Sequence, residues 1–219
     1  MQRVLSIFIF IFFCPVSFGY SASESVNNTK SEQTLETPHL EQIEKIEIGV
    51  QAKQMRVYGK TFSNDEAMVV INAGTATTKW AKGIPYDIEG EIGHIAFNPS
   101  WTPTADMQKD QRKKGRRPLK SELPGSKNNP LGWLKFYFYY NGRNSNYGAH
   151  TTDKPNSVGK RVSHGCNRMS DEDAEWMARI ILHQNGYDPD KLFEWAQKNP
   201  RKTKLVFLNY RPKIVYMKR

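Results

Sequence analysis

Residues 133–140 read WLKFYFYY, and this stretch decides the fold class. Side chains alternate between the two faces of a β-strand. Here one face carries Trp133, Lys135, Tyr137 and Tyr139, and the other carries Leu134, Phe136, Phe138 and Tyr140. Interleaved basic and aromatic residues also occur on nucleic-acid platforms, but the alternation favours a half-buried strand, and we expect no nucleic-acid partner.

Similar short segments, rich in β-branched and aromatic residues, lie on both sides of this strand. They are 43–50 (IEKIEIGV), 67–72 (AMVVIN), 92–97 (IGHIAF), 203–210 (TKLVFLNY) and 213–217 (KIVYM), the last two forming a predicted strand pair. Gly, Asn and Pro separate the segments, as is typical of strands joined by turns. The sequence therefore predicts a mainly β fold, with twisted sheets in a sandwich-like arrangement and two or three short peripheral helices.

Two of these helices are predicted between the central strands and the last strand pair. The first has Ser170 and Asp173 as an approximate capping box, apolar residues at helical spacing, and Gly186 as its end. The second begins at Asp188-Pro189 and ends at Asn199-Pro200.

The N-terminal residues predict export. Residues 1–19 combine Arg3, an apolar run from Val4 to Phe13, and small residues at a cleavage site, which is the pattern of a signal peptide. The run is about half the length needed to span a bilayer, so we expect no transmembrane segment in the mature chain. Residues 20–37 are polar and predict a flexible linker. We then expect residues 38–219 to form one domain of an exported protein, periplasmic or associated with the cell wall.

The chain is strongly basic, with a formal net charge of +10. For an exported protein this charge favours a carboxylate-rich wall polymer or anionic lipid. The run 109–117 (KDQRKKGRR) holds six basic residues and one acid. We interpret it as a solvated loop that does not pack; the alternative is a mobile cationic lip that attracts an anionic substrate.

The candidate chemistry lies at residues 163–168, Ser-His-Gly-Cys-Asn-Arg. The other cysteine, Cys14, falls in the predicted signal peptide, so the mature chain offers Cys166 no second cysteine for a disulfide. A thiol in an exported protein, close to His164 and to His150, is typical of a nucleophile.

Either histidine could accept the thiol proton, but a bend at Gly165 favours His150. Such a bend would direct the N–H groups of Gly165 and Cys166 to one point, as an oxyanion site requires. The base would then come from a separate segment, with a carbonyl or hydroxyl of Thr151 or Thr152 fixing its tautomer. His164 becomes a residue that lines the site, and the Arg168 guanidinium is suited to a substrate carboxylate.

At this point the residues resemble a known family. His150, twelve further residues, then Ser163-His164-Gly165-Cys166 and Arg168-Met169 resemble the L,D-transpeptidase catalytic domain of bacterial cell-wall enzymes. Upstream, residues 98–103 (NPSWTP), 123–125 (LPG) and 129–132 (NPLG) resemble further segments of that family, and the resemblance runs from about residue 44 to about residue 185.

The resemblance implies a mainly β catalytic domain with Cys166 as nucleophile and His150 as base. It implies a thioester formed at the diamino acid of a peptidoglycan tetrapeptide stem, with release of the terminal D-alanine. An amine of a second stem, or of an anchored outer-membrane lipoprotein, then takes the acyl group, and no metal or organic cofactor takes part. We assign Gly165, Thr151 and Ser163 to the oxyanion site or to orientation. We assign His164, Arg168 and Asn167 to substrate binding.

Two residues depart from the family pattern. Thr151 stands where glycine is common, and Asn167 replaces the apolar residue that usually follows the nucleophile. Neither change removes a catalytic group.

Alternatives from other functional classes remain at this stage. Water in place of the amine would give an L,D-carboxypeptidase or amidase, and a non-catalytic wall-binding module could retain the fold. His150, His164 and Cys166 could also be zinc ligands, although the sequence shows no second cysteine or nearby acid to complete such a site. A buried structural cysteine is the remaining interpretation.

Overall fold

The computed structural model describes residues 39–218. The predicted signal peptide (1–19) and linker (20–37) lie outside the described residues, as does residue 38. The strands are β1 (Leu40–Gly49), β2 (Gln54–Thr61), β3 (Glu66–Asn72), β4 (Thr75–Ala76), β5 (Glu89–Phe97), β6 (Leu134–Tyr140), β7 (Arg143–His150), β8 (Arg161–Ser163), β9 (Asn167–Arg168), β10 (Lys204–Phe207) and β11 (Lys213–Met217). The helices are α1 (Thr78–Ala81), α2 (Ala105–Lys113), α3 (Asp171–Gln184) and α4 (Pro189–Lys198), with a 3₁₀ turn at Pro155–Ser157.

Most strands belong to one continuous sheet. Within residues 39–218 its order is β3-β2-β1-β11-β5-β6-β7-β9, with β10 also paired to β5, and β4 and β8 form a separate two-stranded sheet. The pairs β1–β11 and β7–β9 are parallel, whereas the other pairs of the large sheet are antiparallel. The predicted mainly β class is confirmed.

The alternation along residues 134–140 gives the predicted half-buried strand. Leu134, Phe136 and Phe138 are buried in the core, whereas Lys135 and Tyr137 are half-buried on the other face. Apolar burial of this kind contributes about 25 cal/mol per Å² and is the main favourable term in the fold.

Helix α3 follows the prediction closely. The Ser170 hydroxyl accepts a hydrogen bond from the Asp173 backbone N–H (3.0 Å) and donates one to the Asp173 carboxylate (2.7 Å). A cap of this kind stabilises a helix by about 1 kcal/mol. The buried residues at i, i+3, i+4 and i+7 are Ala174, Met177, Ala178 and Ile181, and the helix packs against β1.

Two details of the predicted fold are corrected. The last two strands do not pair with each other, because β10 and β11 both pair with β5, one beyond the other along its length. The described residues also contain four α-helices, where two or three were predicted. The sequence pattern misses α1 and α2 because they lie in segments without an apolar helical period. In residues 39–218 no helix is both long enough and apolar enough to cross a bilayer.

Candidate active site

Strands β7 and β9 bring the histidine and the cysteine together. They run parallel, with Ala149 opposite Asn167 and His150 opposite Arg168. Cys166 lies in the bend directly before β9, one residue ahead of the β7–β9 ladder. His150, Cys166 and Arg168 all line one cleft of about 550 Å³. The β7–β9 register and the bend before β9 therefore bring the predicted nucleophile and the predicted base to one cleft.

The ring of His150 has a defined orientation. Its Nδ1 is hydrogen-bonded to the Thr151 carbonyl oxygen. A carbonyl can only accept, so Nδ1 carries the proton and Nε2 keeps its lone pair. The predicted orienting contact of Thr151 is thus present, and the tautomer is the one a general base needs.

His150 is neutral in the folded protein. It is buried, and burial lowers its pKa to about 3, against the opposing effect of the Thr151 hydrogen bond. The positive charges of Lys135 and Arg168 lower the pKa further. A neutral imidazole is ready to accept a proton, although the surroundings disfavour a persistent imidazolium.

The Thr151 side chain explains one departure from the family pattern. Its hydroxyl oxygen accepts hydrogen bonds from the N–H groups of Trp133 (2.9 Å) and Leu134 (3.2 Å). A Cβ at Gly132 would lie 2.2 Å from this oxygen. Threonine here joins the segment that follows the base to the start of β6.

The bend predicted at Gly165 is present. Gly165 has φ +136°, and a Cβ there would lie 3.2 Å from Cε1 of Tyr147. The N–H of Gly165 donates to the Ser163 hydroxyl (3.2 Å). Ser163 thus orients the bend, and the role of the Gly165 N–H as an oxyanion donor stays a prediction.

His164 and Arg168 lie where substrate contacts were predicted. The exposed His164 ring lies against Trp80, with ring centroids 4.6 Å apart. Arg168 is half-buried, and its Nε is a buried atom without a hydrogen-bond partner among the described residues. Such a group is costly unless a ligand satisfies it. Both residues line the cleft.

The predicted substrate contact of Asn167 is wrong. The strand alternation turns this side chain away from Cys166, and it is 1 % exposed. Its amide nitrogen donates to the carbonyl oxygen of Gly148 (3.1 Å) and to the Tyr216 hydroxyl (2.7 Å). Asn167 therefore ties the nucleophile strand to β7 and β11 from behind.

The opposite wall of the cleft is formed by residues 98–132, which we call the cover segment. Trp101, Met107, Gln111 and Glu122 of this segment line the cleft. Trp101 and Glu122 exchange two backbone hydrogen bonds (2.9 and 2.8 Å). The side chain of Asn129 donates to the Pro99 carbonyl (2.7 Å). The Asn-Pro segments of the family resemblance thus hold this wall in shape.

The interpretation of residues 109–117 as a loop that does not pack is wrong for their first half. Helix α2 runs to Lys113, is capped by the Thr104 hydroxyl, and buries Asp110. Asp110 pairs with Lys114 and Lys79, and these hydrogen bonds lower its pKa to about 2. Of the run, Gln111 reaches the cleft, whereas its basic residues are absent from the cleft lining.

Sequence reasoning missed Lys135 and Tyr137, which line the cleft beside His150. The sequence signal for both residues is their position on the polar face of β6, a pattern that an ordinary half-buried strand also shows. In residues 39–218 no three His, Cys, Asp or Glu side chains are placed to hold a metal ion.

Comparison with known proteins supports the same family. A family model described as the L,D-transpeptidase catalytic domain matches residues 55–205. The chain is 31% identical over 130 residues to the probable L,D-transpeptidase YbiS of Escherichia coli K12, covering 59% of this chain and 40% of that protein. It is 34% identical over 79 residues to the probable L,D-transpeptidase ErfK/SrfK of the same strain, covering 36% and 24%. The match therefore spans less than half the length of these relatives.

Two solved structures are similar at lower identity. An L,D-transpeptidase from Mycobacterium smegmatis matches with a TM-score of 0.40 and 13% identity, covering 80% of this chain and 58% of that one. Bd1075 of Bdellovibrio bacteriovorus matches with a TM-score of 0.34 and 15% identity, covering 81% and 48%. With its family model matched over most of its length, the chain belongs to the L,D-transpeptidase catalytic-domain family.

Proposed function

We propose that the protein is an exported, cysteine-dependent L,D-transpeptidase that acts on peptidoglycan stems in the periplasm or at the cell wall. The observation that carries the proposal is the orientation of His150. Its Nδ1–H is fixed on the Thr151 carbonyl, which leaves Nε2 as the proton acceptor of a ring that lines the same cleft as Cys166. A histidine held by an orienting group, with its other nitrogen left to accept a proton, is what the base of a nucleophile–base pair requires.

In the first half-reaction Nε2 of His150 takes the thiol proton as Sγ of Cys166 attacks the carbonyl carbon of the diamino acid. The tetrahedral intermediate collapses, the bond to D-alanine breaks, and the imidazolium returns the proton to the departing amine. The product is a thioester on Cys166. Because burial and the nearby cations disfavour the imidazolium, this proton resides on His150 only briefly.

In the second half-reaction an amine attacks the thioester carbonyl, loses a proton to His150, and expels the thiolate, which is then reprotonated. The amine belongs to a second stem or to an anchored outer-membrane lipoprotein. If water replaces the amine, the same thioester gives an L,D-carboxypeptidase. The reaction products distinguish the two acceptors.

The test is incubation of the purified protein with muropeptide tetrapeptides, followed by mass spectrometry of protein and products. We expect a thioester adduct on Cys166 and dimers linked between two diamino acids. Tripeptide with D-alanine and no dimers would favour hydrolysis. Cys166→Ala is the matched control. Equal sacculus binding by Cys166→Ala and the parent, with no turnover by the parent, would contradict the enzyme assignment and favour a wall-binding module.

A further inference from the structure

Two cations stand on either side of the imidazole of His150. Lys135 on β6 is the register partner of His150, and Arg168 on β9 is its partner on the other side. All three residues share one face of the sheet and line the cleft. Neighbouring strands are about 4.8 Å apart, so the two backbone attachment points are about 10 Å apart. Arg168 was expected from the sequence to bind a carboxylate; Lys135 was not.

The side chain of Lys135 has a prepared place. A Cβ at Gly148 would lie 3.2 Å from Cε of Lys135, so glycine leaves room for the lysine to cross β7. Its ammonium nitrogen lies 4.1 Å from the centroid of the Tyr137 ring. A cation over an aromatic face keeps its N–H donors for another partner.

The ring beneath the lysine is supported from behind. His94 stacks on Tyr137 with ring centroids 4.2 Å apart and planes at 14°. Its Nδ1 lies 3.1 Å from the Tyr139 hydroxyl. Burial, with the charges of Lys135 and Arg211, lowers the His94 pKa to about 4, so its ring is neutral at neutral pH. The stack of His94, Tyr137 and Lys135 is therefore formed before any ligand arrives.

No carboxylate among the described residues forms an ion pair with this lysine. Among the ion pairs formed within residues 39–218, none includes Lys135. Glu122 and Asp153 also line the cleft, but neither pairs with it. A half-buried ammonium in a cleft that takes peptide stems is suited to a charge-assisted hydrogen bond with a carboxylate.

We propose that Lys135 is a specificity-determining residue that binds one carboxylate of the peptide stem, on the β6 side of the catalytic pair and opposite Arg168. The inference rests on the proposed function and extends it. The enzyme would distinguish a stem with a free carboxylate at this position from one in which the group is amidated.

The test measures coupling between Lys135 and each carboxylate of one named peptide, L-alanyl-γ-D-glutamyl-meso-diaminopimelyl-D-alanine. Binding is measured by calorimetry in the Cys166→Ala protein, which cannot turn over. Three derivatives each carry one amide: on the glutamyl α-carboxylate, on the diaminopimelyl side-chain carboxylate, or at the C-terminus. We expect one of the three amides to weaken binding about tenfold in the protein that retains Lys135. The same amide should weaken binding less than twofold in the Lys135→Met protein.

Lys160→Met is the matched control, because Lys160 is exposed and absent from the cleft lining, and we expect it to preserve the tenfold penalty. The inference would be overturned if each of the three amides weakened binding equally with and without Lys135. It would also be overturned if the unmodified peptide did not bind at millimolar concentration. Acylation is followed separately in the protein that retains Cys166. Coupling without a thioester would contradict the proposed function while supporting the subsite.

Discussion

On one side of the cleft, hydrogen bonds between β-strands set the positions of the functional side chains. On the other side, a few side-chain contacts maintain the shape of the wall. The register of β6, β7 and β9 sets Lys135, His150 and Arg168 in a row, and the bend directly before β9 places Cys166 in the same cleft. The cover segment instead depends on contacts such as Asn129 to Pro99 and the ion pairs of Asp110.

This difference indicates a division of roles. A sheet register cannot shift by one residue without turning every side chain to the other face, so the catalytic geometry is strongly specified. Surface ion pairs are weak and are screened by salt, so the wall formed by α2 is the more easily altered part of the site. Changes on the sheet side should therefore affect the chemistry, and changes on the cover side should affect access.

The largest effect is expected from Gly165→Ala on the sheet side. An alanine must adopt a backbone conformation that L-residues avoid, and its Cβ would approach the Tyr147 ring. We expect acylation of Cys166 to slow by about 100-fold or more, because small displacements of a nucleophile are costly. The measurement is the rate of thioester formation by mass spectrometry.

Gly159→Ala is the matched control. Gly159 also has positive φ (+73°) in the same part of the chain, but a Cβ there would meet no atom within 4 Å. It should retain acylation within about threefold, at a cost in stability of about 1 kcal/mol. Equal losses in both variants would show that backbone strain alone, and not the position of Cys166, accounts for the effect.

The next effect concerns the contact behind the nucleophile. Asn167→Leu leaves the buried Tyr216 hydroxyl and the Gly148 carbonyl without this partner, and we expect the free energy of unfolding to fall by about 2 kcal/mol. Adding Tyr216→Phe removes one of the two unsatisfied groups, so the double variant should be more stable than the sum of the single effects predicts. If the two changes in the free energy of unfolding, measured by urea denaturation, were strictly additive, the contact between Asn167 and Tyr216 would be contradicted.

A third prediction compares how the two sides respond to acid. The pKa of His94 is about 4 in the fold and near 6.5 in an unfolded chain, so the unfolded state gains a proton first as the pH falls. Stability should drop by about 1.4 kcal/mol per pH unit from this residue between about pH 6 and pH 4. His150 behaves in the same direction, and over a wider range, because its pKa is about 3.

The check is urea denaturation at several pH values for the parent and His94→Gln, which should show a shallower slope in that window. The stabilisation from Asp110 depends on pH in the same direction but in a lower window: its pKa is lowered to about 2, so its contribution is present above about pH 4 and is lost as the pH falls below it. An unchanged slope in His94→Gln would contradict the neutral state of His94.

The smallest effect is expected on the cover side. Asp110→Asn removes the carboxylate that joins α2 to Lys79 and Lys114. We expect trypsin to cut the basic run 112–117 several-fold faster, and 0.5 M NaCl to have a similar effect on the parent. Asp106→Asn, on the same helix, is the control for the loss of one charge. Equal cleavage of all three proteins would contradict a role for the ion pairs.

The sequence predicted the parts that depend on local pattern. The alternation of 133–140 predicted β6, the cap at Ser170 predicted α3, and the family spacing from His150 to Cys166 predicted two residues that line one cleft. It did not predict β10 beside β5, since pairing partners depend on contacts far apart in the chain. It also missed α2, whose helix is stabilised by an N-cap and ion pairs and lacks an apolar stripe.

The site was predicted less fully for a related reason. Asn167 was assigned to the substrate because it follows the nucleophile, but a strand turns successive residues to opposite faces. Lys135 was missed because its relation to His150 is a cross-strand register, which no sequence spacing reveals. The sequence also gives no sign that the Gly165 N–H, a predicted oxyanion donor, is hydrogen-bonded to the Ser163 hydroxyl.

The account depends most directly on His150 acting as the base for Cys166. The measurement is the rate of Cys166 alkylation by iodoacetamide from pH 5 to pH 10, in the parent, His150→Gln and His164→Gln, followed by intact mass. We predict a nearly flat profile near neutrality for the parent and for His164→Gln. For His150→Gln we predict a slower reaction near neutrality whose rate rises with pH, because solvent must then remove the thiol proton. Superimposable profiles for the parent and His150→Gln would contradict the account.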